Sequence, residues 1–531
     1  MLSEIISAVF SSWTRIVIAL SISVVAAFLV GIYSGRSRTA EKIVIPILDV
    51  LQSVPILGFF PVAVFLLAEA IPIIGYEVAS IFLLFTCTFW NLAFATYEAA
   101  RSIPHTIIEV ADLSDLPQRE RLRKIYMPAA IPKIADQLPA SLANAFYFLA
   151  ASEVITLGEK EARVAGVGTL VMNYLTAGNY TGIALTLSVT AASIVAAYLL
   201  VLTPLLSYSD KYRFDVVKAE GGPARPAIYG LYTRALSIRI PLRGGFSQIS
   251  ALAQRATPIQ LVNIRHMSAD IKRAILFIAV IAALAFLSPR IYANIDDIIL
   301  AVVSVAEAGV RLGLPNIGVA LGFSVIRLLA CLSVMLAVTV PLAYLVVEKP
   351  RTRALLLPAL QIIASLPSPL IFPLISGLFT ASNLTRELGA ILLMLMGSIW
   401  YVFFSALSGF SRVHEEYLEL SRLYRLSVLQ RFRYIYLPFA TPSLVTGLIT
   451  ASGGAWNTII VAERLGEGGK IFEVNSPGLG KIMSELAEYG DLAALTFTLI
   501  VLTAFIVAMN RLLWHRLYEY SSKALRIHEQ S

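Results

Sequence analysis

Arg15 in "SWTRIVIALS" and Arg327 in "SVIRLLACLS" are single charges in apolar runs, and Glu153 and Glu463 stand near the ends of two other such runs. Ionisable groups held in lipid are costly, so each is a candidate for function. A pair of guanidinium groups can draw an anion toward a pathway, or can snorkel to the membrane boundary. The carboxylates can line that pathway or reach water at the interface. Asn91, Asn144, Tyr147, Trp456 and Asn457 also fall inside apolar runs. Amides and an indole can bind an oxyanion without a full buried charge, and can equally bond one helix to another. Prolines 55, 61, 367 and 373 can free backbone groups to line a cavity, or can be tolerated kinks.

The elements that hold these residues follow from composition. The 531 residues are 57% hydrophobic and 14% charged, with a mean hydropathy of +0.76. Apolar runs of about 20 residues, enough to cross a bilayer, recur along the whole chain. The short alternating segments of a β-barrel are absent. The expected fold is an all-α polytopic membrane protein of about eleven spans. In the first half they lie near 14–34, 43–68, 78–97, 134–157 and 181–206. In the second half they lie near 271–288, 316–347, 355–381, 387–407, 441–463 and 492–514. The run Ile16 to Tyr33 has no basic region before it and no small-residue cleavage site after it, so it reads as a retained helix. Cys87 and Cys331 lie in apolar runs without metal-ligand spacing, and no disulfide is expected.

The net charge of +8 needs no nucleic acid to explain it, because basic residues gather in cytoplasmic loops. "SGRSRTAEK", "EKPRTRA" and the tail "RLLWHRLYEYSSKALRIH" are basic and fall on one side, while "AEAIPIIGYE" carries no Lys or Arg and falls on the other. This places the N-terminus outside and the C-terminus in the cytoplasm, in a multi-pass plasma-membrane protein. Residues 207–270 form a polar, basic stretch with "EGGPARP" and "PLRGGFSQ", expected to be a tether over the inner leaflet. It separates a first repeat, residues 1–206, from a second, residues 271–531.

The repeat is visible by self-comparison. Glu109–Pro132 and Glu419–Pro442 are identical at ten of twenty-four positions without a gap. Arg15 meets Arg327, Glu153 meets Glu463, and "GVGTLVMNYLTAGN" meets "GLGKIMSELAEYGD". An even number of spans lies between the two charged interruptions, residues 98–133 and 408–441. Both therefore lie on the same, cytoplasmic face, and the halves are parallel repeats about an axis along the membrane normal. Two such halves leave one seam, where a pathway can open; a duplicated scaffold without a pathway is the plainer alternative. In the first interruption, Pro128 and Pro132 are expected to stop a short cytoplasmic helix and start the next span. A rigid projection of this kind suits the passing of force to a docked partner.

The spacing of Glu109-x-Ala111 with Ile125-x-Met127-Pro128, and of Glu419-Leu420-Ser421 with Ile435-x-Leu437-Pro438, resembles the cytoplasmic loop signature of ABC importer permeases. "GAWNTIIVAERLGEGGKIFEVNSPGLGKIM" is similar to the nitrate/sulfonate/taurine/bicarbonate branch of that family. The resemblance implies two type I permease repeats fused in one chain. It also implies that Glu109, Ala111, Leu113, Leu116, Ile125 and Pro128 form one ATPase-coupling element, and Glu419, Ser421, Leu423, Leu426, Ile435 and Pro438 the other. The family's glycine is replaced by Asp115 in one copy and Arg425 in the other, so either the loop turns differently or the two contacts are unlike. The partners implied are two cytoplasmic ABC ATPase subunits, which would carry ATP and magnesium, and an extracytoplasmic binding protein that delivers a small anion.

The chain has no G-x-x-x-x-G-K-[ST] loop; "GEGGKI" lacks the spacing and the hydroxyl. No nucleophile–base pair or metal cluster is apparent, so a transport subunit is expected, with no catalytic, cofactor or metal site of its own. The rival is an ion-driven secondary transporter, which would carry deep mid-span charges and no docking loop.

Overall fold

A computed structural model describes residues 1–56, 74–157, 160–209, 295–364, 377–411, 415–467 and 470–521, with residues 58–60, 63–64, 67, 71, 212, 372 and 413 between them. Most of the expected tether, the whole expected span near 271–288, and Pro61, Pro367 and Pro373 lie outside the described residues. The chain divides into two compact units, residues 1–217 with 308–531, and residues 218–307. Within the second unit, residues 295–307 are described.

The first half runs α1 (Leu2–Arg36), α2 (Arg38–Ser53), α3 (Gly75–Arg101), α4 (His105–Leu113), α5 (Gln118–Arg121) and α6 (Met127–Glu153). The strands β1 (Val154–Leu157) and β2 (Lys160–Arg163), then α7 (Val167–Thr176), α8 (Tyr180–Ala197) and α9 (Thr203–Ser209) complete it. α10 (Ile295–Leu312) precedes the second copy: α11 (Leu314–Glu348), α12 (Pro350–Ala364), α13 (Asn383–Phe410), α14 (Glu415–Leu423), α15 (Val428–Arg431) and α16 (Leu437–Glu463). It ends with β3 (Arg464–Glu467), β4 (Lys470–Glu473), α17 (Leu479–Tyr489) and α18 (Leu492–Met509). Among the described residues, seven helical stretches are long and apolar enough to cross a membrane. The fold is all-α and polytopic.

Three local expectations are corrected. The span expected to end near 157 ends at Glu153, and its duplicate ends at Glu463 as expected; after each glutamate the next four residues open an antiparallel hairpin, β1 with β2 and β3 with β4. Val154, Ile155 and Thr156 are β-branched and favour a strand over more helix. The prolines at 128 and 132 do not start a new helix. α5 continues into α6 through a wide π turn, Leu122–Tyr126, and α15 into α16 through Phe432–Tyr436. Opening the turn gives room for a proline ring that an α-turn would drive against the carbonyl four residues back. α10 was not anticipated, because Asp296, Asp297, Glu307 and Arg311 break up its apolar pattern.

Within each half the first core helix packs along the second, α1 on α3 and α11 on α13, and the third, α6 or α16, closes the set. Small residues allow this closeness. A Cβ on Gly31 would strike Thr96 and the backbone of Ala93, and one on Gly409 would strike Ala440. Backbones that approach this closely gain dispersion contacts, which bind helices where lipid removes the hydrophobic drive.

Candidate functional site

The two charged interruptions form the same helical corner. α4 and α14 each end in a left-handed residue, Asp115 at φ +46° and Arg425 at φ +49°. The closing bonds are of the Schellman kind: Leu116 N–H donates to Ala111 O at 3.0 Å and Asp115 N–H to Asp112 O at 3.1 Å. Their counterparts are Leu426 to Ser421 at 2.9 Å and Arg425 to Arg422 at 3.1 Å. The corner thus turns as a glycine would turn it, although a Cβ in this region costs roughly 1–2 kcal/mol. Both copies therefore place the residue at the family's glycine position in the left-handed conformation that glycine favours.

The corner sorts its residues into two sets. Glu109, Glu419, Asp115 and Arg425 are exposed, and Leu113 and Leu423 stand 86% and 77% exposed at the tips. Ala111, Ser421, Ile125 and Ile435 are buried, while Leu116, Leu426, Pro128 and Pro438 are half-buried. Ala111 and Ile125 pack with Ile32, Ala99 and Ala130, which seats the first corner on the membrane helices. The ties differ between copies. Arg121 donates to Leu116 O at 2.7 Å and Ala111 O at 2.9 Å and pairs with Asp112. Arg431, its duplicate, instead pairs with Glu348 at the end of α11.

Arg15, Glu153, Arg327 and Glu463 belong to two buried clamps. Arg15 donates to Glu77 at 2.8 Å, to Glu153 at 3.0 Å and to Ala165 O at 2.7 Å. Arg327 donates to Glu387 at 3.0 Å, to Glu463 at 2.8 Å and to Pro477 O at 3.1 Å. Glu153 also accepts from Ser12 and from Gly168 N–H at 2.6 Å. Glu463 accepts from Ser324 at 2.6 Å and from Lys481 N–H at 3.1 Å. Both glutamates are fully buried, and the arginines are 5% and 3% exposed, so none of the four snorkels or reaches water. Each clamp joins three helices to the start of α7 or α17. Gly166 and Gly478 leave the space that each carboxylate fills, since a Cβ at either would overlap it. Ser12, Ser324, Glu77 and Glu387 were missed from the sequence, although the serines sit at the repeat spacing that matched Arg15 with Arg327 and the glutamates at the one that matched Glu153 with Glu463.

The seam brings other candidates together. Tyr401 of α13 donates to Asn144 of α6. Tyr147 and Thr458 exchange a hydroxyl bond at 2.5 Å, and Asn457 accepts from Ile56 N–H at 2.6 Å. Tyr147 also lies against Gly397, where a Cβ would meet its ring at 3.0 Å. Asn91 is half-buried on α3, at the position duplicated by Tyr401. Trp456 lies elsewhere: it is 1% exposed in the core of the second half and edge-on to Phe505, with centroids 5.8 Å apart. Outside the spans, Arg464 gathers Glu473, Glu485 and Glu488 within 2.6–3.0 Å. Burial opposes its charge, yet these carboxylates hold its pKa above the ordinary arginine value.

Among known proteins, 150 residues are 25% identical to the nitrate import permease protein NrtB of Synechocystis sp., covering 28% of this chain and 52% of that one. Another 158-residue match is 26% identical to the bicarbonate transport system permease protein CmpB of Synechococcus elongatus, covering 30% and 53%. The matches thus span about half the length of each relative. A family description covers far more of the chain: residues 7–211 and 316–526 each match the binding-protein-dependent transport system inner membrane component. Two such copies, one on either side of α10, coincide with the two helical series, their clamps and their corners. The chain belongs to this family of ABC transporter permeases.

Proposed function

We propose that this chain is the membrane subunit of an ATP-driven importer for a small anion, with both halves supplied by one polypeptide. The observation that carries the reading is the paired corner, a rigid turn with an exposed leucine at its tip, present twice. Such a corner suits a groove on a soluble ATPase, so two ATPase subunits bind, one per corner, and they hold ATP and magnesium. Glu109, Leu113, Asp115 and Leu116 contact one ATPase; Glu419, Leu423, Arg425 and Leu426 contact the other. Ala111, Ile125 and Pro128, with Ser421, Ile435 and Pro438, pass the motion to the spans.

Closure of the ATPases rocks the halves about the seam and exposes Asn144, Tyr147, Tyr401, Asn457 and Thr458 to each side in turn. Hydroxyl and amide groups can replace the hydration of a small oxyanion without a full buried counter-charge. The nitrate and bicarbonate in the relatives' names support that substrate class. A binding protein docks outside, on the surface that includes the hairpins, α7 and α17. Arg15, Glu153, Arg327 and Glu463 hold the outer ends of the helices in register.

The test is Leu113→Asp with Leu423→Asp, assayed by co-purification and by uptake into reconstituted vesicles. Both side chains are exposed, so the fold should survive. Loss of a co-purifying nucleotide-binding subunit and of ATP-dependent uptake is expected. Full retention of both would overturn the docking assignment, and uptake driven by an ion gradient without ATP would favour the secondary carrier.

A further inference from the structure

The end of α1 meets the π turn after α5 in a cleft of about 410 Å³, lined by Phe28, Leu29, Ile32, Tyr33, Arg36, Ser37 and Leu122. The duplicated corner of the second half is filled. There Tyr344 packs edge-on to Phe432 at 5.2 Å, to Tyr436 at 5.1 Å and to Phe410 at 6.2 Å. By the repeat spacing, these four aromatic residues correspond to Ile32, Leu122, Tyr126 and Ala100. Three rings are therefore replaced by smaller side chains in the first half. α1 and α3 close part of the difference through Gly35, where a Cβ would come hard against Ala100. The side under Leu122 stays open.

The charge at the mouth is also reversed. Glu348, which pairs with Arg431 in the second half, is replaced by Arg36. Arg36 is held by Gln118 and lies 4.8 Å over the ring of Tyr126. Both contacts fix its position and neither neutralises it. Arg38, Arg119 and Arg123 are exposed nearby in the chain. Leu29 and Tyr33 on the cleft wall are 60% and 61% exposed, and Val25 one turn earlier is 61% exposed, so the cleft opens on the lipid-facing side of α1.

We infer that this cleft is a binding site for one anionic phospholipid, with an acyl chain against Phe28, Leu29, Ile32 and Leu122 and the phosphate at Arg36. The inference rests on the proposed orientation, which puts this end of α1 at the cytoplasmic leaflet, where anionic lipids concentrate. The site lies beneath the first corner; the equivalent place beneath the second is packed with Tyr344, Phe410, Phe432 and Tyr436. Lipid occupancy would then brace one docking corner, while a cluster of rings braces the other.

The chain is purified from nanodiscs of mixed phosphatidylcholine and phosphatidylglycerol into mild detergent, and retained lipid is counted by native mass spectrometry. Retention of a phosphatidylglycerol is expected, falling about fivefold in Arg36→Ala and largely kept in Arg36→Lys. Leu122→Phe, which copies the second half, should abolish it. Equal retention in all four proteins, or equal retention of phosphatidylcholine, would overturn the site. Displacement by inorganic phosphate would show a site for a free anion instead. Labelling of Ser37→Cys by an impermeant reagent from outside intact cells would break the orientation without changing the lipid count. Because that count needs no ATPase, the two readings fail separately.

Discussion

Arg15 gathers two carboxylates and a backbone carbonyl, and one of those carboxylates holds a helix start; Arg327, in the other half, gathers the same set. The seam behaves otherwise. Asn144 and Tyr147 face Tyr401 and Thr458, and the duplicates of these four residues are Gly454, Asn457, Asn91 and Phe148. A clamp closed within one half can be kept intact through duplication, since all its partners are copied with it. A residue at the pseudo-axis faces its own copy's surroundings, and one substitution there makes the pair unlike. The two halves therefore share their scaffold and differ where they meet each other.

The clamps offer the hardest test of equivalence. Arg15→Met or Arg327→Met leaves a fully buried glutamate unpaired, a loss of about 3–5 kcal/mol. It is read as the temperature at which folded, monodisperse protein disappears in detergent. Equal losses are expected, and a loss confined to one variant would break the comparison. Gly166→Ala and Gly478→Ala push a methyl group into the carboxylate. They should cost roughly 1–3 kcal/mol, again equally.

Why were these clamps not read from the sequence? Arg15 and Glu153 are 138 residues apart, and nothing in spacing tells a guanidinium seeking substrate from one seeking a carboxylate. The missing partners were within reach, because Ser12 and Glu77 recur as Ser324 and Glu387 at the spacing already in use. Seven of the expected spans were legible because lipid demands long apolar runs, and the corners because their spacing is held over both copies. The left-handed turn at Asp115 and Arg425 was hidden by residue types that rarely adopt it. Tyr401 escaped because tyrosine is unremarkable in an apolar helix until its partner is known.

At the seam, Tyr401→Phe and Tyr147→Phe each remove one hydroxyl bond, with a net effect near 1 kcal/mol. The expected result is roughly a fivefold change in anion uptake, with thermal stability and ATPase co-purification almost unchanged. Similar uptake in both variants and wild type would move the pathway away from these residues. An effect from Tyr401 alone would place it nearer the Asn144 side.

The smallest effect separates conformation from contact. Asp115→Gly and Arg425→Gly relieve a Cβ penalty of about 1–2 kcal/mol but give the unfolded chain back roughly 0.4–1 kcal/mol of freedom. Net stability should rise by roughly 0–1.6 kcal/mol, and by the same amount in both copies, because the turns share φ and bonding. With backbone demand so nearly balanced, the opposite charges at Asp115 and Arg425 are free to be set by what docks on each corner. Exchanging them, Asp115→Arg with Arg425→Asp, should leave thermal stability in place and weaken ATPase co-purification. Unchanged co-purification would make the two corners interchangeable, and the difference between the halves would then end at the seam.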